Sequence, residues 1–155
     1  MTFLFFIKYN KLKIMKKNNI INFLRENKVK ITPQRRLIAE LVLNDRTHPS
    51  AEKIYLKAKE KMPEISIATV YQTLELLEKK GMLLRIDFPD GKGHYDPYTI
   101  PHLHFYCINC ENIIDFEIED KEIFEKFINK IDKNFEIKNY AIILYGICKN
   151  CKKKF

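Results

Sequence analysis

The sequence holds little glycine (4 residues) and little proline (6). That excludes a collagen-like chain or a low-complexity linker. It has no apolar run near the roughly 20 residues that a membrane-spanning helix needs. It has no cysteine before position 107. It also lacks an acidic excess: 28 Lys and Arg stand against 20 Asp and Glu, a net charge of +8. What is present, 46% hydrophobic and 12% aromatic residues in a chain of 155, can fill one domain or two small ones. A positive balance favours an anionic partner.

The charge and the cysteines divide the chain. Residues 1–91 carry 18 Lys and Arg against 10 Asp and Glu, which is the whole net charge of +8. Residues 92–155 carry 10 of each, and all four cysteines, at 107, 110, 148 and 151. A basic N-terminal module and a neutral, cysteine-bearing C-terminal module follow. Residues 1–15 read as an extension outside both modules, with Met15 the expected start. Phe3 to Ile7 is apolar but too short for a secretory signal, and its lysines follow rather than precede it. The expectation is a cytoplasmic protein, where paired cysteines point to metal rather than to disulfides.

In the basic module, Lys16 to Asn27 has the spacing of a short helix. Thr32 suits an N-cap with Pro33 in the first helical position, and Leu37, Ile38, Leu41 and Val42 continue at helical spacing. Ser50 is expected to cap a helix reaching Met62. Ser66 is expected to cap another, with Val70, Leu74 and Leu77 on one face and Gly81 as its left-handed stop. Met82 to Phe88 reads as a strand, Pro89 to Gly93 as a turn, and His94 onward as a returning strand. Helices followed by a hairpin describe a winged helix, whose last helix enters the major groove of DNA. Here that helix offers Ser66, Ala68, Thr69, Tyr71, Gln72 and Thr73 to base edges or phosphates. Arg35, Arg36 and Lys92 would make contacts to phosphate that set register. The same pattern also suits a helical domain whose basic residues are merely solvated.

The C-terminal module carries the stronger chemistry. Cys107-x-x-Cys110 and Cys148-x-x-Cys151 are two chelating pairs, and four thiolates make the closed tetrahedral shell of structural zinc. The 37 residues between the pairs exceed a zinc ribbon's usual span of about 15–20 and must hold structure. A strand near Ile113–Ile118, a helix from Asp120 to Ile131 and a strand from Phe135 to Ile147 are expected there. His102-x-His104 is a second constellation. Residues two apart in a strand share a face, so both imidazoles can reach one ion. Cys107 is an odd number of positions from His104 and faces away, which argues for two sites. Asp96, Asp115, His48 and His94 are further candidate ligands. Imidazole with carboxylate suits Fe(II), Mn(II) or Zn(II). A zinc hydrolase or an RNA-binding zinc protein are the competing classes. The first lacks a clear general base beside the site. The second would want exposed aromatics near the basic face, and most Phe in the neutral half fall at core spacing.

These residues resemble the ferric uptake regulator family. The resemblance rests on Thr32-Pro33-Gln34-Arg35-Arg36, His48-Pro49-Ser50-Ala51, Ser66-Ile67-Ala68-Thr69-Val70-Tyr71, His102-Leu103-His104 and the two cysteine pairs, and spans Lys16 to Cys151. It implies an α+β fold with a winged-helix DNA-binding domain at 16–93, a hinge at 94–100 and a small α/β dimerisation and metal-binding domain at 101–155. It implies a homodimeric, metal-dependent transcriptional repressor of palindromic operator DNA, not an enzyme, holding structural zinc and a regulatory Fe(II) or Mn(II). The chain is most similar to the peroxide-responsive branch. Five regulatory ligands carry over to His48, Asp96, His102, His104 and Asp115, with Asp96 11 residues before Cys107 and Asp115 8 after it. Iron-responsive relatives typically have Glu where Asp115 stands. They often bear an additional site, at places matching Pro101, Leu103, Glu122 and Asn139, which here offer at most one strong ligand. In the peroxide branch a ligand histidine is oxidised in the presence of Fe(II), and metal and DNA are then released. An iron-, manganese- or zinc-responsive repressor without that chemistry is the alternative. Many relatives have Arg or Asn in place of Gln72, so operator preference is expected to differ.

Overall fold

A computed structural model describes residues 17–118, 122, 126, 128, 130, 131, 134, 135 and 140–153. The expected extension at 1–15 lies outside them, as does most of the expected helix from Asp120 to Ile131. The fold is α+β, and the chain divides into two compact units, one ending at Ile100 and the other starting at Pro101.

The first unit is four helices and a hairpin, the order expected of a winged helix. The helices are α1 (Lys17–Glu26), α2 (Pro33–Leu43), α3 (Ala51–Lys61) and α4 (Ile67–Lys79). Three of them begin as the sequence requires. Thr32, Ser50 and Ser66 each accept a hydrogen bond at the side-chain oxygen from the backbone N–H three residues on. Each bond satisfies one orphan donor of the first turn. Apolar residues at helical spacing then face inward: Ile38 and Val42 from α2, Ile54 and Ala58 from α3, Val70, Leu74 and Leu77 from α4. Ile20, Leu24, Met82, Leu83 and Tyr95 close the same core.

Helix α4 stops at Gly81, whose φ of +65° is the left-handed conformation that a side chain disfavours. The Gly81 N–H donates to Glu78 O and the Met82 N–H to Leu77 O, a Schellman closure. Strand β1 (Leu84–Asp87) is shorter than expected: the Met82 N–H is taken by the closure of α4, and pairing begins at Leu84. It pairs antiparallel with β2 (Gly93–Asp96), Leu84 opposite Asp96 and Asp87 opposite Gly93. The returning strand expected from His94 onward takes in His94, Tyr95 and Asp96, which the resemblance had also placed at the start of a hinge.

In the second unit β3 (Leu103–Cys107) is central. It pairs antiparallel with β4 (Ile113–Phe116) and parallel with β5 (Ile142–Gly146). Parallel neighbours cannot be joined by a tight turn, which explains the long segment between β4 and β5. The last strand does not begin at Phe135, as expected: Phe135 lies in a bend and is 69% exposed. Part of the segment between them, 136–139, lies outside the described residues. A short helix α5 (Lys149–Lys152) follows β5; the sequence reading did not include it.

Leu74 is fully buried at the centre of the first core. Leu74→Ala is expected to cost about 2–5 kcal/mol of stability, as large-to-small core changes do. Urea denaturation of the full chain measures it.

Candidate metal centres and nucleic-acid interface

Two turns and a strand end gather the four cysteines. Cys107 ends β3, and the turn after it returns Cys110. Cys148 caps α5, and the single turn of that helix brings Cys151 back beside it. All four Sγ atoms lie within 4.8 Å of one another. Cys110 and Cys148 are 3.8 Å apart at sulfur. Thiolates at a zinc–sulfur distance of about 2.3 Å in a tetrahedron are separated by about 3.8 Å, so the donors fit that ion.

The electrostatics point the same way. The N–H of Cys148 donates to Cys107 Sγ (3.3 Å) and, with neighbouring amides, pulls the Cys107 thiol down to about 6. The Asn112 amide alone would lower Cys110 too. The surrounding sulfurs of Cys107, Cys151 and Cys148 outweigh it and push Cys110 up to about 12. One thiol ionises readily and its neighbour resists. Only a bound cation lets all four carry charge together.

In the second unit, the β3–β4 register sets His104 directly opposite Asp115. Cross-strand partners share a face, and so do residues two apart in one strand. His102 and His104 accordingly stack with ring centroids 4.2 Å apart. Asp115 Oδ1 is 3.3 Å from His104 Nδ1 and 3.7 Å from His102 Nε2. Both histidines are buried. The set is two imidazoles and a carboxylate without sulfur, a donor set suited to Fe(II) or Mn(II).

In the first unit His48 stands in the loop between α2 and α3. It is buried, with Nε2 3.8 Å from Asp96 Oδ2 at the end of β2. Asp96 Oδ1 accepts the Tyr98 N–H (2.7 Å), which fixes the carboxylate plane. His48 has φ of +52°, left-handed and uncommon for any residue with a Cβ. Such a conformation costs of order 1–3 kcal/mol and persists only where neighbours hold it. They do so here. Pro49 O accepts the Tyr95 N–H (3.1 Å), and Ser50 bridges to His94.

The helix expected to face DNA is only partly as foreseen. Ser66, Ala68, Tyr71 and Gln72 are exposed, and Thr69 is half-buried with its backbone N–H on the Ser66 cap. Thr73 is a correction. It is buried, and its hydroxyl donates to Thr69 O (2.8 Å), so it faces the core and its own helix rather than a base. Arg35 is half-buried and donates to Lys30 O (3.2 Å), and Arg36 pairs with Glu40 (2.8 Å). Lys92 is exposed at the turn between β1 and β2.

The profile of the family described as "Ferric uptake regulator family" matches residues 26–145. The chain belongs to the ferric uptake regulator family. The chain is 34% identical to the "Peroxide operon regulator" of Bacillus subtilis (strain 168) over 131 residues, 84% of this chain and 90% of that protein. Two solved structures are also similar. The Campylobacter jejuni peroxide stress regulator shares 30% identity, with a TM-score of 0.64 over 84% of this chain and 98% of the other. The Vibrio cholerae ferric uptake regulator shares 31%, with a TM-score of 0.62 over 82% and 98%. No helix among the described residues is long and apolar enough to cross a membrane.

One contact was not foreseen in the sequence. Glu52 accepts a hydrogen bond from the Tyr71 hydroxyl. Bonds from Ser50 and Tyr71 pull its carboxyl down to about 2, and the same contact raises the Tyr71 phenol. The contact crosses 19 residues of sequence, beyond any local pattern. His94, named among the candidate ligands, lies in β2 two residues before Asp96.

Cys148→Ser is expected to release zinc and unfold or monomerise the second unit, because structural metal contributes folding energy directly. Metal analysis and circular dichroism check it. A zinc-free variant that keeps its fold and assembly would overturn the structural role.

Proposed function

We propose that the chain is a metal-dependent transcriptional repressor of the ferric uptake regulator family that senses peroxide and acts as a cytoplasmic homodimer on palindromic operator DNA. The observation that carries this reading is Asp115. Its carboxylate oxygen lies within 3.7 Å of both His102 and His104, at the position where the peroxide-responsive branch has aspartate. The peroxide regulators of Bacillus subtilis and Campylobacter jejuni among its relatives support it further.

The five ligands proposed for the regulatory Fe(II) or Mn(II) are His48, Asp96, His102, His104 and Asp115. The four cysteines are proposed to hold zinc. Two of the five come from the DNA-binding domain and three from the domain beyond the 97–100 connection. Binding energy gained only when all five engage would favour one arrangement of the two domains. In that arrangement the two winged helices of the dimer match the half-site spacing of a palindrome. Iron, when bound, would supply the redox chemistry that cleaves the peroxide O–O bond; hydrogen peroxide is the net two-electron oxidant of the imidazole, one oxygen entering the ring and the other leaving as water. The imidazoles would hold the reacting site, and an imidazole that takes up oxygen no longer offers a lone pair. Its loss removes a ligand, and the closed arrangement relaxes. Ser66, Ala68, Thr69, Tyr71 and Gln72 would face the bases, with Arg35 and Lys92 on phosphates. Glu52 would hold the Tyr71 ring in place.

The deciding experiment is mass spectrometry of protein purified without oxygen, loaded with Fe(II) or Mn(II), treated with low peroxide and digested. One added oxygen on the peptides holding His48 or His102 and His104, in the Fe(II) sample alone and with loss of operator binding, is expected. Unmodified histidines with operator binding intact would assign the chain to iron- or manganese-dependent repression instead. Asp115→Glu is expected to blunt the peroxide response while sparing metal-dependent operator binding, read in gel retardation. Tyr71→Ala is expected to weaken operator binding far more than binding to random duplex. Equal losses would make Tyr71 a packing residue.

A further inference from the structure

His94 belongs to neither ligand set, yet it is buried and both of its ring nitrogens are engaged. Nδ1 lies 2.6 Å from the backbone carbonyl oxygen of His48, an atom that only accepts, so Nδ1 is the donor of this bond. Nε2 lies 2.8 Å from Asp90 Oδ2, in the turn between β1 and β2. The other oxygen of Asp90 accepts the Lys92 N–H (3.1 Å). Burial would raise the Asp90 carboxyl, but the bonds from His94 and Lys92 hold it below its ordinary value. The Phe88 ring meets the imidazole edge-on at 5.2 Å and blocks rotation about its side-chain bonds. The β1–β2 register, Ile86 opposite His94, fixes where the side chain starts.

The imidazole is therefore a strut. One end grips the wing turn and the other grips the peptide of His48. That peptide needs gripping, because His48 sits at φ +52° and precedes a proline, which disfavours helical backbone. Rotation of the His48 peptide would swing its side chain away from Asp96.

We infer that His94 is a positioning residue for the regulatory metal: through the His48 carbonyl it holds the His48 imidazole in its ligating direction, and it braces that hold on Asp90 of the wing turn. The inference rests on the proposed ligand role of His48. Groups behind metal ligands typically contribute about 10–100-fold in affinity, and a donor to a ligand's own peptide belongs with them.

Two substitutions separate the ends of the strut. Asparagine places its amide N–H where imidazole Nδ1 sits, so His94→Asn keeps the bond to His48 and loses Asp90. Glutamine places its amide where Nε2 sits, so His94→Gln keeps Asp90 and loses His48. The measurement is Mn(II) affinity of the full-length, zinc-loaded dimer by titration calorimetry, with zinc content and melting temperature followed in parallel. His94→Gln is expected to bind Mn(II) about tenfold more weakly, with zinc content unchanged, and His94→Asn within about threefold of the parent. Equal losses in both, or no loss in His94→Gln, would overturn the inference in favour of simple packing. Should His94→Gln fail to fold, His94→Ser replaces it. It also loses the bond to the His48 carbonyl, so the strut requires it to weaken Mn(II) binding, and parent affinity there overturns the inference. His48→Ala is the control for the underlying reading. If it binds Mn(II) as the parent does, His48 is no ligand and the proposed ligand set fails. If it loses binding while His94→Gln does not, only the strut fails.

Discussion

Four sulfurs gathered within 4.8 Å cannot all be thiolates without a cation among them. The second unit is organised around that constraint. Among its described residues, the buried cluster is Cys107, Cys148 and Cys151, with Phe105 and Ile114 packed against it. The parallel pairing of β3 and β5 ends at the cluster, with Cys107 opposite Gly146. The amide of Cys148 supports Cys107 from the other side. Sheet, short helix and metal ligands thus form one device. His104 and Asp115 inherit their positions from it, because the strand that presents His104 is the strand that ends in Cys107.

The first unit solves a different problem by ordinary means. Capped helices with apolar stripes bury a continuous core, and the site residues sit at its margin. His48 is held in a costly backbone conformation by bonds from β2, to Pro49 O and to its own carbonyl. Among the described non-glycine residues Lys28, His48 and Glu111 have positive φ, and of these His48 is the one proposed to bind metal.

Much of this was legible in the sequence. The helix starts at Thr32, Ser50 and Ser66, the Gly81 stop and the hairpin follow from local chemistry, and local chemistry decided them. The two cysteine pairs and the shared face of His102 and His104 follow from spacing alone. What escaped was decided by contacts between distant residues. Thr73 read as a polar group on a DNA-facing helix, but its hydroxyl can satisfy itself on Thr69 O, which makes it acceptable in a core. Phe135 read as the start of a strand on composition, although it is exposed in a bend. Helix α5 escaped because four residues carry no periodicity.

The order of the cysteine pairs along the chain has a further consequence. A ribosome delivers residues from the N-terminus, so the core reaching from Ile20 to Tyr95 is fully supplied before the first thiol emerges. The first thiol pair must then wait while 37 more residues are made before its partners arrive. During that interval half a chelate is exposed to oxidants and to competing metals. The nascent chain can complete its DNA-facing domain early, while zinc capture is the late, committing event of biosynthesis.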